Sequence, residues 1–240
     1  MIVDEHGKFV TQRTHPMLAR VISTVTATGL RIADAASGDA LDVVRPVAPA
    51  PQRRVQVWDD IVEARLASDA ATAFFTRVVG APVELVFADE ATRRLRRNAW
   101  THDLPVPVRF PDGYPVLICT RASLETLNAR LPQALPMSRF RPNLVLDGLG
   151  AFEEDHVESL TIGEVVLQLV KPCTRCGITG IDQRDGLRWG DPLLALKEFR
   201  YDAMLRGVTF GWNAIVERGA GALLRVGDTV TVRRRAPHAR

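Results

Sequence analysis

Apolar positions recur along this chain in short alternating runs broken by glycine, proline and polar clusters, which is the pattern of strands more than of long helices. Phe9 to Gln12, Arg20 to Ala27 and Leu30 to Ala33 predict strands, the last two joined at Thr28-Gly29. Arg45 to Gln52 is rich in proline and alanine and reads as a loop, after which Val55-Gln56-Val57-Trp58 alternates as a half-buried strand does. Ser68 is placed to cap a helix that runs through Val79 and stops at Gly80 and Pro82. Val83 to Phe87 returns to strand, and Asp89 to Arg97 reads as a charged helix.

The pattern breaks between Asn98 and Pro107, which divides the chain into a domain of residues 1–97 and one of residues 98–240. In the second, Val116 to Cys119 predicts a strand, and Ser123 a cap for a helix from Leu124 to Leu131. Further strands are expected at Asn143 to Leu146, Ser159 to Thr161 and Glu164 to Val170, the latter two a hairpin around Ile162-Gly163. Pro192 to Arg200 reads as helix, and a final hairpin pairs Leu223 to Val226 with Thr229 to Val232 across Gly227-Asp228. The fold class is α+β and mostly β, with short strands and a few helices between them.

Composition removes several function classes. The formal net charge of +3 is small and carried almost wholly by arginine, with lysine only at positions 8, 171 and 197. The arginines are spread out and not interleaved with aromatic residues, which argues against a nucleic-acid surface. The clusters Arg93-Arg94, Arg96-Arg97 and Arg233-Arg234-Arg235 read as solvated faces or tail. No apolar run approaches the length of a membrane span, and no secretory signal opens the chain. Phosphate-loop, dinucleotide-loop and nucleophile-elbow motifs are missing.

The chemistry concentrates at Lys171-Pro172-Cys173-Thr174-Arg175-Cys176, directly after the apolar run Glu164 to Val170. A thiol at a strand end beside a guanidinium is accessible and biased toward thiolate, the form that attacks electrophiles and binds soft metals. A structural zinc site would need four ligands, but only Cys119 is left over and the five histidines are scattered. A thioredoxin-like dithiol would open a helix, whereas two glycines and three β-branched residues follow Cys176. Three cysteines without a secretory signal point to a reducing, cytoplasmic setting rather than to a structural disulfide. A thiolate used singly remains.

These residues resemble a known family. The run Lys171 to Asp182 is similar to the cysteine motif of MOSC domains, named after the C-terminal domain of molybdenum cofactor sulfurase. Ser123-Leu124-Glu125-Thr126-Leu127-Asn128, followed by Arg139-Phe140-Arg141-Pro142-Asn143, resembles a second element of that family, and Phe210-Gly211-Trp212-Asn213 a third, a Phe-Gly turn near the cofactor. Val3 to Arg13 resembles part of the β-rich domain that precedes MOSC in amidoxime-reducing proteins. The resemblance implies a β-barrel-like MOSC domain behind a smaller β-rich domain. It also implies a molybdenum-cofactor oxidoreductase that removes oxygen from N-hydroxylated compounds. Pyridoxal phosphate binding is a further family-level implication.

By this resemblance Cys176 is the catalytic thiolate that ligates molybdenum. Thr174, Arg175, Arg141, Asn143 and Asn213 are expected to contact the pterin and its phosphate, and Asp112-Gly113-Tyr114 to form a cofactor-contacting loop in which Tyr114 departs from the usual small residue. Cys173 is expected to serve packing alone. No iron–sulfur motif is present, so a separate ferredoxin-like or cytochrome-like electron donor is implied. Relatives with this N-terminal domain begin with a further strand bearing Tyr-Pro-x-Lys-Ser and then Asp-Arg-x-Trp; this chain starts at Met1-Ile2-Val3, which predicts a shortened first domain with an exposed sheet edge. The alternatives are sulfur carriage or cofactor delivery through Cys176, and a non-catalytic MOSC fold.

Overall fold

The computed structural model describes residues 1–236 and is mostly β. It contains two compact units: Met1–Leu95 together with Gly180–Trp189, and Arg96–Thr179 together with Gly190 onward.

The first unit holds β1 (Ile2–Asp4), β2 (Phe9–Val10), β3 (Val21–Val25), β4 (Gly29–Asp34), β5 (Ala40–Val44), β6 (Gln52–Val57), β7 (Asp60–Leu66), α1 (Asp69–Val79) and β8 (Val83–Phe87). One sheet has the order β2-β1-β8-β7-β6, and a parallel bridge between Lys8 and Gln56 links its two ends. β1 therefore lies inside the sheet, paired on both sides, and the open edge expected there is not found. The second sheet is the antiparallel meander β3-β4-β5. The Ser68 side chain accepts a hydrogen bond from Ala71 N, and Gly80 closes α1 at φ 78°, a left-handed position that glycine takes without strain. The apolar face of α1, Ala71, Phe74, Phe75, Val78 and Val79, is buried against Ile32, Val43 and Val83.

Three expectations in this unit are corrected. β1, β5 and β7 lie outside the stretches expected as strands, although in β7 the buried Val62 and Ala64 alternate with Glu63 and Arg65 as in a half-buried strand. The charged helix at Asp89 to Arg97 does not form. There the Asp89 carboxylate accepts from the backbone of Ala91 and Thr92, competing with helical bonding, and pairs with Arg65 at 2.5 Å. Arg94, buried among its neighbours, pairs with Asp60 at 2.7 Å.

At the boundary lies β9 (Leu95–Arg96). The second unit then continues with β10 (Val106–Pro107), β11 (Val116–Thr120), α2 (Arg121–Asn128), β12 (Leu144–Leu146), β13 (Val157–Ile162), β14 (Val165–Thr174), α3 (Pro192–Phe199), β15 (Tyr201–Asp202), β16 (Gly207–Arg218) and β17 (Val230–Arg234). Its sheet runs β12-β11-β16-β14-β13-β17, with β15 also on β16; β11 and β12 are parallel. One face packs Ile118, Leu146, Leu160, Leu167, Leu169, Trp212 and Ala214 into a core. A second cluster, Cys119, Leu127, Phe140, Leu196 and Phe210, packs side chains of α2 and α3 with β11 and β16.

Thr120, not Ser123, caps α2, accepting from Ser123 N at 3.2 Å. Ser123 turns inward to the buried carboxylate of Glu154 at 2.8 Å. Phe210-Gly211 is not a turn but the middle of β16, where Gly211 takes φ 75° and an added Cβ would meet Cys119 Sγ and Ile118 O, both at 2.6 Å. Leu223 to Val226 is not a strand; Gly219, Gly221 and Gly227 all take positive φ around it. The terminal arginines are engaged as well. Arg233 pairs with Glu158, Arg234 with Glu153, and the Arg235 guanidinium lies 4.6 Å from the Trp212 ring centre while donating to Leu169 O at 2.7 Å.

Candidate functional site

The site is built on the end of β14. This strand pairs with β16 through two register shifts near its tip, between Leu169 and Lys171 and between Pro172 and Thr174. Arg175 N still bonds Val208 O at 2.9 Å, and the chain then leaves the sheet at Cys176. The Cys176 carbonyl accepts from both N and Oγ1 of Thr179, at 3.2 and 3.1 Å, which folds Gly177–Gly180 into a tight turn and leaves the thiol exposed.

The three cysteines differ sharply. Cys119 is fully buried, and burial pushes its thiol up to about 12, so it stays protonated and inert. Cys173 is half-buried, and its Sγ receives a hydrogen bond from Arg175 Nη1 at 2.9 Å. Cys176 alone is open to solvent.

Two motifs far apart in sequence meet here. Arg175 Nη2 donates to Phe140 O at 2.7 Å, and the buried Arg139 donates through Nη1 to Thr179 O at 3.3 Å. The segment 139–141 is thus stitched to 175–179 on either side of Cys176. Arg141 follows directly, exposed and in a left-handed conformation at φ 53°. A left-handed arginine is strained, and such strain persists only where surrounding structure enforces it. Phe140 stacks on Phe210 with ring centres 4.0 Å apart, which brings the third motif into the same packing.

Asn143 and Asn213 lie along one row of the sheet. Asn143 Oδ1 accepts from Leu117 N and its own N donates to Leu117 O, both at 2.8 Å; Leu117 faces Asn213, and Asn213 Nδ2 donates to Lys171 O at 3.3 Å. Both amides tie strands together, with the remaining amide atom of each left for other contacts. Thr174 is exposed opposite Thr209 on β16. In the remaining loop the Asp112 carbonyl accepts from Arg96 Nη2 at 3.3 Å, and Gly113 has open space around it. Tyr114 is buried with Val170 and Ile215, its hydroxyl donating to Asn98 Oδ1 at 3.2 Å.

Two participants were missed from sequence. Arg139 stood inside a motif already recognised, but only its buried position distinguishes it from Arg141. Phe140 contributes a main-chain oxygen, which no residue type can signal.

Comparison with known proteins gives the family. Residues 1–82 match the MOSC N-terminal beta barrel domain, and residues 105–231 match the MOSC domain. The chain belongs to the MOSC family. This MOSC chain is 32% identical over 242 residues to mitochondrial amidoxime reducing component 2 of Homo sapiens, a match covering 96% of the chain and 71% of that protein. It is 29% identical over 240 residues to mitochondrial amidoxime-reducing component 1 of Homo sapiens, with the same coverage. Component 1 of Mus musculus is 30% identical over 207 residues, covering 83% of this chain and 60% of the relative. The MOSC chain therefore spans 60% to 71% of the length of these relatives. Among the described residues no helix is long and apolar enough to cross a membrane.

Proposed function

We propose that this MOSC protein is a molybdenum-cofactor oxidoreductase that reduces N-hydroxylated compounds, with Cys176 as the protein ligand of the metal. The observation that carries the reading is the exposed Cys176 thiol held between two stitched motifs, 139–141 and 175–179. No group of three or more His, Cys, Asp or Glu side chains among the described residues could enclose a metal ion. A single soft thiol fits a metal that arrives with sulfur ligands of its own, which is what the pterin dithiolene provides.

When bound, the cofactor supplies a two-electron redox centre able to take oxygen from the substrate. The chain supplies the rest. Cys176 anchors the metal through sulfur. The exposed Arg141 is suited to the cofactor phosphate, where a guanidinium makes bidentate charge-assisted bonds, and Thr174 adds a hydroxyl donor. Asn143 and Asn213, each fixed by one hydrogen bond to the sheet, present their free amide atoms at defined positions for the pterin edge. The Asp112-Gly113-Tyr114 loop is retained as a further contact through its main chain. Reduction of an N–OH group to N–H consumes two electrons and two protons and releases water. The electrons come from a separate ferredoxin-like or cytochrome-like protein. A reducing compartment, cytoplasmic in this reading, keeps the thiols available.

Metal analysis of the chain produced in a host that makes the cofactor, beside Cys176→Ser, tests the reading. Molybdenum in the parent and not in the variant is expected. Equal molybdenum in both would overturn the ligand assignment. Molybdenum in neither, with sulfane sulfur on Cys176, would favour sulfur carriage.

A further inference from the structure

We infer that Cys173, not Cys176 alone, has a functional part in the motif: it is a positioning residue that anchors the Arg175 guanidinium and so fixes the peptide carrying Cys176. The inference rests on the reading of Cys176 as the metal's ligand. Arg175 is held at both ends. Its main-chain N bonds Val208 O at 2.9 Å, its Nη2 bonds Phe140 O at 2.7 Å, and its Nη1 points to Cys173 Sγ at 2.9 Å. The guanidinium carbon lies 5.6 Å from the Phe140 ring centre, and Nε is enclosed without a hydrogen-bond partner. In this arrangement both terminal nitrogens are committed within the protein. The guanidinium braces the loop through one N–H of each terminal nitrogen.

A cysteine that served packing alone would have no reason to face a charge. Here the sulfur accepts from the cation while facing Thr174 O at 3.8 Å, so it both receives and offers a hydrogen bond. Serine can do the same and alanine cannot. Without that anchor Nη1 loses its partner in a half-enclosed site, and the guanidinium is free to leave Phe140 O as well. The next residue along the chain is Cys176, and groups that orient a metal ligand are commonly worth about 10–100-fold in metal affinity.

The test compares Cys173→Ala, Cys173→Ser, Arg175→Lys and Cys176→Ser in the full chain. Hydrogen exchange of peptides spanning residues 171–180 is followed without cofactor, and molybdenum content is measured at limiting cofactor. Cys173→Ala and Arg175→Lys should each speed exchange and lower bound molybdenum by roughly ten-fold, and Cys173→Ser should return both to near the parent values. Parent-like exchange in Cys173→Ala, or a serine variant as loose as the alanine one, would overturn the inference. If Cys176→Ser keeps its molybdenum while Cys173→Ala still loosens the segment, the metal assignment fails and the positioning role stands.

Discussion

Arg175 and Phe140, 35 positions apart, are joined by a 2.7 Å hydrogen bond from guanidinium to main-chain oxygen. Through it the cysteine motif and the Arg-Phe-Arg-Pro-Asn motif become one piece of structure. That bond ends on a backbone atom, so the residue type at position 140 can change while the acceptor persists. The more demanding elements of the site are backbone conformations, and these yield the sharper predictions.

Gly211→Ala should destabilise the protein by about 2–4 kcal/mol, since a Cβ there strikes both Cys119 Sγ and Ile118 O and the backbone is left-handed. Urea denaturation measures it. Adding Cys119→Ala should recover only part of the loss, because the Ile118 carbonyl remains in the way.

Glu154 is buried beneath Ser123 and Thr120 with its two oxygens accepting from their hydroxyls. Burial raises its pKa above the ordinary carboxylate value, and the hydroxyl bonds offset this only in part. The folded state therefore holds a proton more tightly than the unfolded chain. The stability this contributes is complete below the ordinary carboxylate range and is lost as pH rises through the raised value. Denaturation midpoints of Glu154→Gln, measured across pH 4 to 8, should fall less with rising pH than those of the parent. Parallel curves would show that Glu154 does not titrate in this way.

Ser68→Ala should cost about 1 kcal/mol, the usual worth of a side-chain cap, because Ala71 N loses its acceptor at the start of α1. Ser68→Gly should cost less. Thermal melts of the two variants give the comparison.

Arg234 and Arg235 are neighbours with different expected weights. The Arg234–Glu153 pair is largely exposed, so Arg234→Ala should change stability by less than about 0.5 kcal/mol. Arg235 covers Trp212 and donates to Leu169 O, and Arg235→Ala should cost about 1–2 kcal/mol. Equal effects in chemical denaturation would count against this assignment.

These cases also mark what could be read from sequence. α1 was legible to the residue because Ser68 and Gly80 are local signals that act through their own neighbours. β16 was hidden because Gly211 mimics a turn, and only its packing against Cys119 reveals why glycine sits inside a strand. Ser123 has a cap's chemistry one turn too late, and its actual partner, Glu154, lies 31 residues away. At the candidate site the motif segments could be picked out, and 139–140 bonds to 175–179. The carbonyl oxygens of Thr179 and Phe140 that Arg139 and Arg175 reach could not, since the fold brings them in.

The two register shifts near the tip of β14 carry one last consequence. The base of the strand is locked in phase by the core residues Leu167 and Leu169; the first shift sets an extra β14 residue against β16 and the second an extra β16 residue, so Thr174 faces Thr209 back in the register of Leu169. The tip is thus geared to the base, and its facing is fixed by how many residues lie between Leu169 and Thr174, more than by which ones they are. A single insertion or deletion there would swing the thiol to the opposite face of the sheet.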